Sequence, residues 1–406
     1  MTPSSRRPLD AAPITQPARW APFAYGFRPF FLLAGLLALG YVPWWIGSVA
    51  LGWTLSTDWP PTLWHGHEML FGYISAAIGG FLLTAVPNWT GQRGFAGAPL
   101  VALVVIWLAG RIVILSSALW PPIATAVVDL AYLPVLAGYI SVPLVRARNR
   151  NTPLLAVLGL LWACNVVFHL ALARHDAPLA GQAVRTGIDI VLVLVTLIGG
   201  RIIPVFTNSS MKPLGHSPRA PSSPWLTPAV IALMVASAIT GLLPVPGPVV
   251  AAISLAAGVL HALRLWQWRA PLRLMTPIVW ILHLGYAWLA IGFLLRAVAL
   301  FAGSAWAAFW LHALTIGAVT SLILGVMTRA TLGHTGRPLV VAPAITAAYV
   351  LVSVAALVRV FALGVIGVRY PLVLVVAGAS WLAAFALYLY VYAPILVRPR
   401  ADGRAG

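Results

Sequence analysis

The segment Trp64-His65-Gly66-His67-Glu68-Met69-Leu70-Phe71 places two imidazoles and the chain's only glutamate at the start of an apolar run that continues to about Trp89. Such side chains can ligate a metal, orient a ligand or relay protons. Inside a membrane-crossing helix each is costly, by about 2.5 kcal/mol or more at the centre. With 9 histidines and 7 acidic residues against 61% hydrophobic residues, polar groups are scarce enough that each one needs a reason. His65 and His67 are spaced i,i+2 and leave an ideal helix on opposite sides, so they converge on one metal only if the helix begins after His65. Glu68 would orient an imidazole or relay protons; alternatively it would cap the positive N-terminus of the helix.

The elements that position these residues follow from composition. A mean hydropathy of +0.95 and 8% charged residues exclude a soluble domain, where about 25% is usual. The fold class is all-α: a polytopic membrane helix bundle. Apolar runs bounded by Pro, Gly and charge predict twelve transmembrane helices, near 29–50, 67–89, 99–119, 122–145, 153–173, 184–206, 225–243, 249–268, 276–300, 305–330, 341–363 and 371–397. Residues 29–397 would form a single bundle, with loop 207–224 between two six-helix groups and with 1–28 and 398–406 as end segments. The single cysteine, Cys164, lies in an apolar run as a packing residue; neither an intrachain disulfide nor a cysteine metal site is available.

Basic residues alternate by loop. Eighteen of the 25 fall in one set of segments: Arg6, Arg7, Arg19 and Arg28; Arg93; Arg146, Arg148 and Arg150; Lys212 and Arg219; Arg264, Arg269 and Arg273; Arg329 and Arg337; Arg398, Arg400 and Arg404. The other set holds Arg174, Arg185 and Arg369. The positive-inside rule puts both termini in the cytoplasm, and it explains the net charge of +18 without a nucleic-acid partner. Arg6-Arg7 is not followed by an apolar core, so the first helix is expected to be retained. Trp44, Trp45, Trp53, Trp59 and Trp64 cluster around the first outer loop as an aromatic belt.

Counting about 1.5 Å per residue sorts the histidines by depth. His67, His169 and His312 share the outer leaflet and His65 lies just outside it, so these four are expected to surround a metal or a haem face. His261 and His283 fall on an antiparallel hairpin at one depth, roughly 11 Å from the inner ends. They would clamp a metal or supply axial ligands to a haem; alternatively they are unrelated and bonded to backbone or Ser/Thr groups. Imidazole binds metals in its neutral form, and copper and haem iron both accept it. Arg201, after Gly199-Gly200, needs an acidic partner, and with so few in the chain a haem propionate is an attractive one. Arg111 would pair similarly, or with Asp129 or Asp189. His175 and His216 read as solvated loop residues.

Five segments carry a resemblance: FRPFF at 27–31, WHGHEMLFG at 64–72, AVPNWTG at 85–91, GGRIIPVFT at 199–207 and HALTIGAVTSLILGVMTRATLGHTGRP at 312–338. Together they resemble the NnrS family of bacterial inner-membrane proteins, end to end. The resemblance implies twelve helices, bound haem of the b type and copper, and a role in the response to nitric oxide under denitrifying or nitrosative conditions. The positions it carries over are His65, His67, Glu68, His169, Arg201, His261, His283, His312, Arg329 and His334; His334 rests on the resemblance alone.

Three functions compete. The first is a haem and copper protein in the lipid bilayer that binds or turns over nitric oxide, or protects cellular metal centres from it, with an unidentified electron donor where turnover occurs. The second is a secondary transporter using Glu68, Asp189 and Arg201. The third hands haem or metal onward. The excess of histidine over acidic residues within the spans favours ligation over proton-coupled transport.

Overall fold

Proline opens most of the helices, at Pro61, Pro99, Pro122, Pro178, Pro248, Pro277, Pro343 and Pro371, where its missing N–H is one the first turn leaves unpaired in any case. Gly91 and Gly303 close two of them in the left-handed conformation that glycine adopts without penalty. The structure, a computed structural model, describes residues 20–54, 56–215, 222–268 and 275–404. Arg6, Arg7, Arg19, Arg219, Arg269, Arg273 and His216 lie outside the described residues.

Twelve helical rods follow one another and no strand occurs among the described residues. They are α1 (Phe27–Ala50), α2 (Pro61–Thr90), α3 (Ala98–Leu115), α4 (Pro122–Arg146), α5 (Leu154–Ala173), α6 (Ala177–Met211), α7 (Leu226–Thr240), α8 (Gly247–Gln267), α9 (Pro277–Ala302), α10 (Trp310–His334), α11 (Pro343–Phe361) and α12 (Tyr370–Val397). Eleven are long and apolar enough to cross a membrane; α7, with 15 residues, falls short of the about 20 usually needed. It nevertheless runs from one end of the bundle toward the other. Just before it, Ser222 and Ser223 bond to Trp268 and Gln267 at the end of α8, while the Gly241 carbonyl after it accepts from Gln182 and Thr186 near the start of α6. The start of α1 and the end of α12 also meet, since Ala21 N–H donates to Val397 O at 2.8 Å, so an even number of crossings lies between them. Arg28 joins them by donating to the carbonyls of Ile395, Leu396 and Arg398, capping the carbonyl-rich end of α12.

α2 is the axis of the bundle, with 83% of its apolar window buried. It starts at Pro61, six residues before the apolar run implied, because a proline at N1 nucleates the helix before hydropathy rises. Two helices carry π-helical stretches: Glu68–Ile74 in α2 and Ala313–Thr320 in α10. Each begins immediately after a histidine, His67 and His312, and widens the turn at the point where side chains are redirected; such π turns are frequent at functional sites.

Candidate functional site

Because α2 has already begun at Pro61, His65 and His67 are both helical and leave it in different directions. The four histidines expected to surround one outer site, His65, His67, His169 and His312, therefore fall into two separate groups.

His67, fully buried, faces Asp129 of α4 and Asn165 and His169 of α5. Its Nε2 lies 3.2 Å from Asp129 Oδ2 and 3.0 Å from Asn165 Oδ1, and His169 Nε2 lies 3.0 Å from the same Asp129 oxygen. Asn165 Nδ2 donates to Asp129 Oδ2 at 2.8 Å. One ligand atom each from His67, Asp129 and His169 lies within 4.8 Å of the others, a spacing that can hold a metal ion. Behind them, His67 Nδ1 is 2.9 Å from Glu68 Oε1, and Arg111 of α3 donates from Nη1 to Glu68 and from Nη2 to Asp129. Glu68 is thus inside the helix, on an imidazole and a guanidinium, and does not cap the helix. Trp59, Phe71 and Phe168 pack their rings against His67.

Glycine makes this packing fit. A Cβ at Gly72 would sit 3.1 Å from Arg111 Nη1 and 3.0 Å from Leu37 Cδ1, so the last residue of the WHGHEMLFG segment is the opening through which Arg111 reaches the carboxylates. Two carboxylates against one guanidinium leave one negative charge in the span, which a proton on His67, both of whose ring nitrogens face acceptor oxygens, or a bound cation would balance.

His65 turns the other way and stacks on Trp45 at 4.3 Å. Both line a cavity of about 400 Å³ bounded by α1, α2, α6, α10, α11 and α12, into which His312, Arg185, Arg359, Tyr73, Tyr370 and Trp381 also face. No acidic residue is among its lining. His65 Nδ1 and Arg359 Nη1 are buried and have no hydrogen-bond partner. The walls next to His65 are Met69, Leu70, Tyr73 and Ile74 of the π turn, so the cavity and the carboxylate centre share one segment of α2.

The inner histidines do not meet: His261 packs between Tyr286 and Phe293 of α9, whereas His283 reaches back to Trp268 at the end of α8. His261 Nδ1 bonds Tyr286 Oη at 2.9 Å and its Nε2 lies 3.1 Å from Met234 Sδ. His283 Nδ1 donates to Val279 O at 3.1 Å, and its Nε2 lies 3.4 Å from Trp268 O and 3.5 Å from Thr207 Oγ1. Each has its own partners: backbone and a threonine for His283, but a tyrosine and a methionine for His261 rather than the backbone or Ser/Thr groups of the alternative reading.

Arg201 is exposed and donates to Asn151 Oδ1 at 2.5 Å; the buried guanidinium beside Gly200 is Arg264, which a Cβ there would strike. Arg329 stacks over Phe206 at 3.5 Å. His334 ends α10 rather than lying in a loop, packed on Tyr25 and Phe27, with its carbonyl accepting from Arg400 at 2.8 Å. Arg400 also holds the exposed Asp402 carboxyl below the usual carboxylate range by hydrogen bonding to it. Of the five tryptophans, Trp44 and Trp53 are exposed as a belt requires, whereas Trp45 and Trp64 are buried.

Sequence reasoning missed Asp129 and Asn165 as parts of the metal-sized group and Arg359 as a cavity residue. The available signal was their rarity: an acid, an amide and a guanidinium inside membrane-length apolar runs.

The family model described as NnrS protein matches residues 21–400, nearly the whole chain. The chain belongs to the NnrS family, and membership supports a multi-pass membrane protein of the nitric oxide response. No curated protein matches the chain.

Proposed function

We propose that this is a haem- and copper-binding protein of the bacterial inner membrane, both termini cytoplasmic, that binds or turns over nitric oxide at two adjoining sites in the bundle. The observation that carries this reading is the convergence of His67, Asp129 and His169 around one ion-sized space within a span. Two imidazoles and a carboxylate suit a divalent first-row metal, and copper stands highest in the affinity order of such ions. The neighbouring cavity suits haem: two imidazoles, His65 and His312, an unpaired Nδ1 on the first, and aromatic walls from Trp45, Tyr73 and Trp381.

The chain's own groups have separable roles. Glu68, accepting from His67 Nδ1, orients the ring so that Nε2 points at Asp129 and Asn165, where it would become a ligand once a metal displaced its proton. Arg111 holds Glu68 and Asp129 at a fixed separation and offsets one of their two charges. Asn165 orients Asp129, while Trp59 and Phe168 exclude water from the imidazole pair. When bound, haem iron and a second metal would supply a redox pair with room for a diatomic ligand. Nitric oxide is neutral and partitions into lipid, so a site buried in the bundle needs no charged path.

The test is spectroscopy and metal analysis on purified full-length protein. A Soret band that His65→Ala or His312→Ala shifts, and a stoichiometric metal that His67→Ala or His169→Ala removes, are expected. A wild type free of both after reconstitution with haem and copper would overturn the reading in favour of a carrier.

A further inference from the structure

Most of the guanidiniums buried within the helices have their acceptors inside the protein. Arg111 has two carboxylates, Arg296 has Asp189 and Ser237, and Arg28 has three backbone carbonyls. Arg264 is met by Thr196 O and by the hydroxyls of Tyr286, Thr227 and Ser222.

Arg359 differs. It is 6% exposed, lies between the rings of Phe309 and Tyr370 at 4.5 and 5.4 Å, and makes one long hydrogen bond, from Nη2 to Tyr370 Oη at 3.4 Å. No carboxylate pairs with it, and its Nη1 is buried without an acceptor. A cation in that state is strongly unfavourable in a span unless an anion joins it. The cavity it lines contains no acidic side chain that could serve. A ligand that carries an acid group would supply that anion. Arg185, two turns into α6, lines the same cavity and adds a second positive charge.

The ligand also has to satisfy the rest of that cavity. About 400 Å³ walled by indole, phenol and aliphatic groups calls for a large apolar body; two imidazoles call for a metal within it; and the unpaired guanidinium calls for an acid group at its edge. Resting on the haem reading of this cavity, we propose that Arg359 is the positioning residue for a haem propionate, donating from Nη1 to its carboxylate, with Arg185 as a second, more solvated contact. The exogenous acid that sequence reasoning sought for Arg201 thereby belongs to Arg359 on α11.

The test compares haem with its dimethyl ester, which keeps iron and macrocycle but has no carboxylate. Haem-depleted full-length protein in detergent is titrated with each, followed by the Soret band and tryptophan quenching. Wild type should bind the free acid at least tenfold more tightly than the ester. Arg359→Gln should bind both with the ester's affinity and an unchanged Soret maximum, and Arg359→Lys should recover part of the preference. Equal affinity of the wild type for both forms overturns the proposal and leaves the haem reading standing. Undiminished preference in Arg359→Gln does the same. If the wild type binds neither porphyrin, the haem reading fails together with the proposal, and an acidic lipid that co-purifies with wild type but not with Arg359→Gln would name the actual anion.

Discussion

Asp129→Asn isolates the charge of the buried centre from its shape. The side chain keeps its size and one oxygen, so packing against Asn165 and His169 changes little, but one of the two buried carboxylate charges disappears, and Arg111 and Glu68 then cancel. The three ligand atoms lie within 4.8 Å of one another, so a cation among them is no farther than that from Asp129. At about 4 Å and an effective dielectric of about 20, a unit charge pair is worth about 4 kcal/mol. That corresponds to about a thousandfold in affinity. Metal affinity, measured by competition with a chelator of known strength on purified protein, should therefore fall by about three orders of magnitude. Asp176→Asn, at the exposed N-cap of α6, should leave affinity unchanged while removing a comparable charge from the surface. Wild-type metal content and affinity in Asp129→Asn, with the fold intact, would refute the assignment of this cluster as a cation site.

Reporter fusions after Arg93, Arg150, Lys212 and Arg404 should all score cytoplasmic, and a periplasmic result at any of the last three overturns the orientation. Gly72→Val places a Cβ 3.1 Å from Arg111 Nη1 and 3.0 Å from Leu37 Cδ1, with two further methyls to fit, so thermal stability should drop by about 1–3 kcal/mol and metal content should fall with it; unchanged metal content would mean that Arg111 does not hold the site together. His261→Ala, emptying a fully buried position between Tyr286 and Met234, should cost about 3 kcal/mol. His283→Ala should cost less, and the double variant should be additive within about 0.5 kcal/mol, since the two rings share no contact. Coupling well above that, or loss of one chromophore in both, would reinstate them as one site.

What was legible in the sequence was the inventory of helices and the identity of the rare polar groups. The i,i+2 spacing of His65 and His67 posed the right geometric question, and Pro60-Pro61 held the answer: a helix that opens on proline is already formed at His65, and the two rings must part. The partners they part toward were not legible. Asp129 was visible as an acid near the outer end of its helix, but its meeting with two histidines depends on how α2, α4 and α5 are rotated about their axes.

Rotation is the quantity a membrane sequence withholds. In a water-soluble helix the apolar stripe reports which face turns inward, but a helix apolar all round carries no such stripe, since lipid is as apolar as the core. Depth can be counted only roughly: His261 and His283, expected at one level, turn to Met234 and to the Trp268 carbonyl. The one directional signal that survives is polarity itself. Asp129, Asp189, Arg111, Arg296, His67, His169, His261 and His283 are each less than 10% exposed, so every one marks an inward face of its helix. Applied to pairs of helices at equal depth, that rule brings Arg111 and Asp129 together across α3 and α4, and Arg296 and Asp189 across α9 and α6. Among the described residues Arg359 is then left without an acidic partner and, unlike Arg28 and Arg264, with a buried Nη1 that no carbonyl or hydroxyl meets. A buried cation whose donor goes unmet is how such a bundle can disclose a ligand.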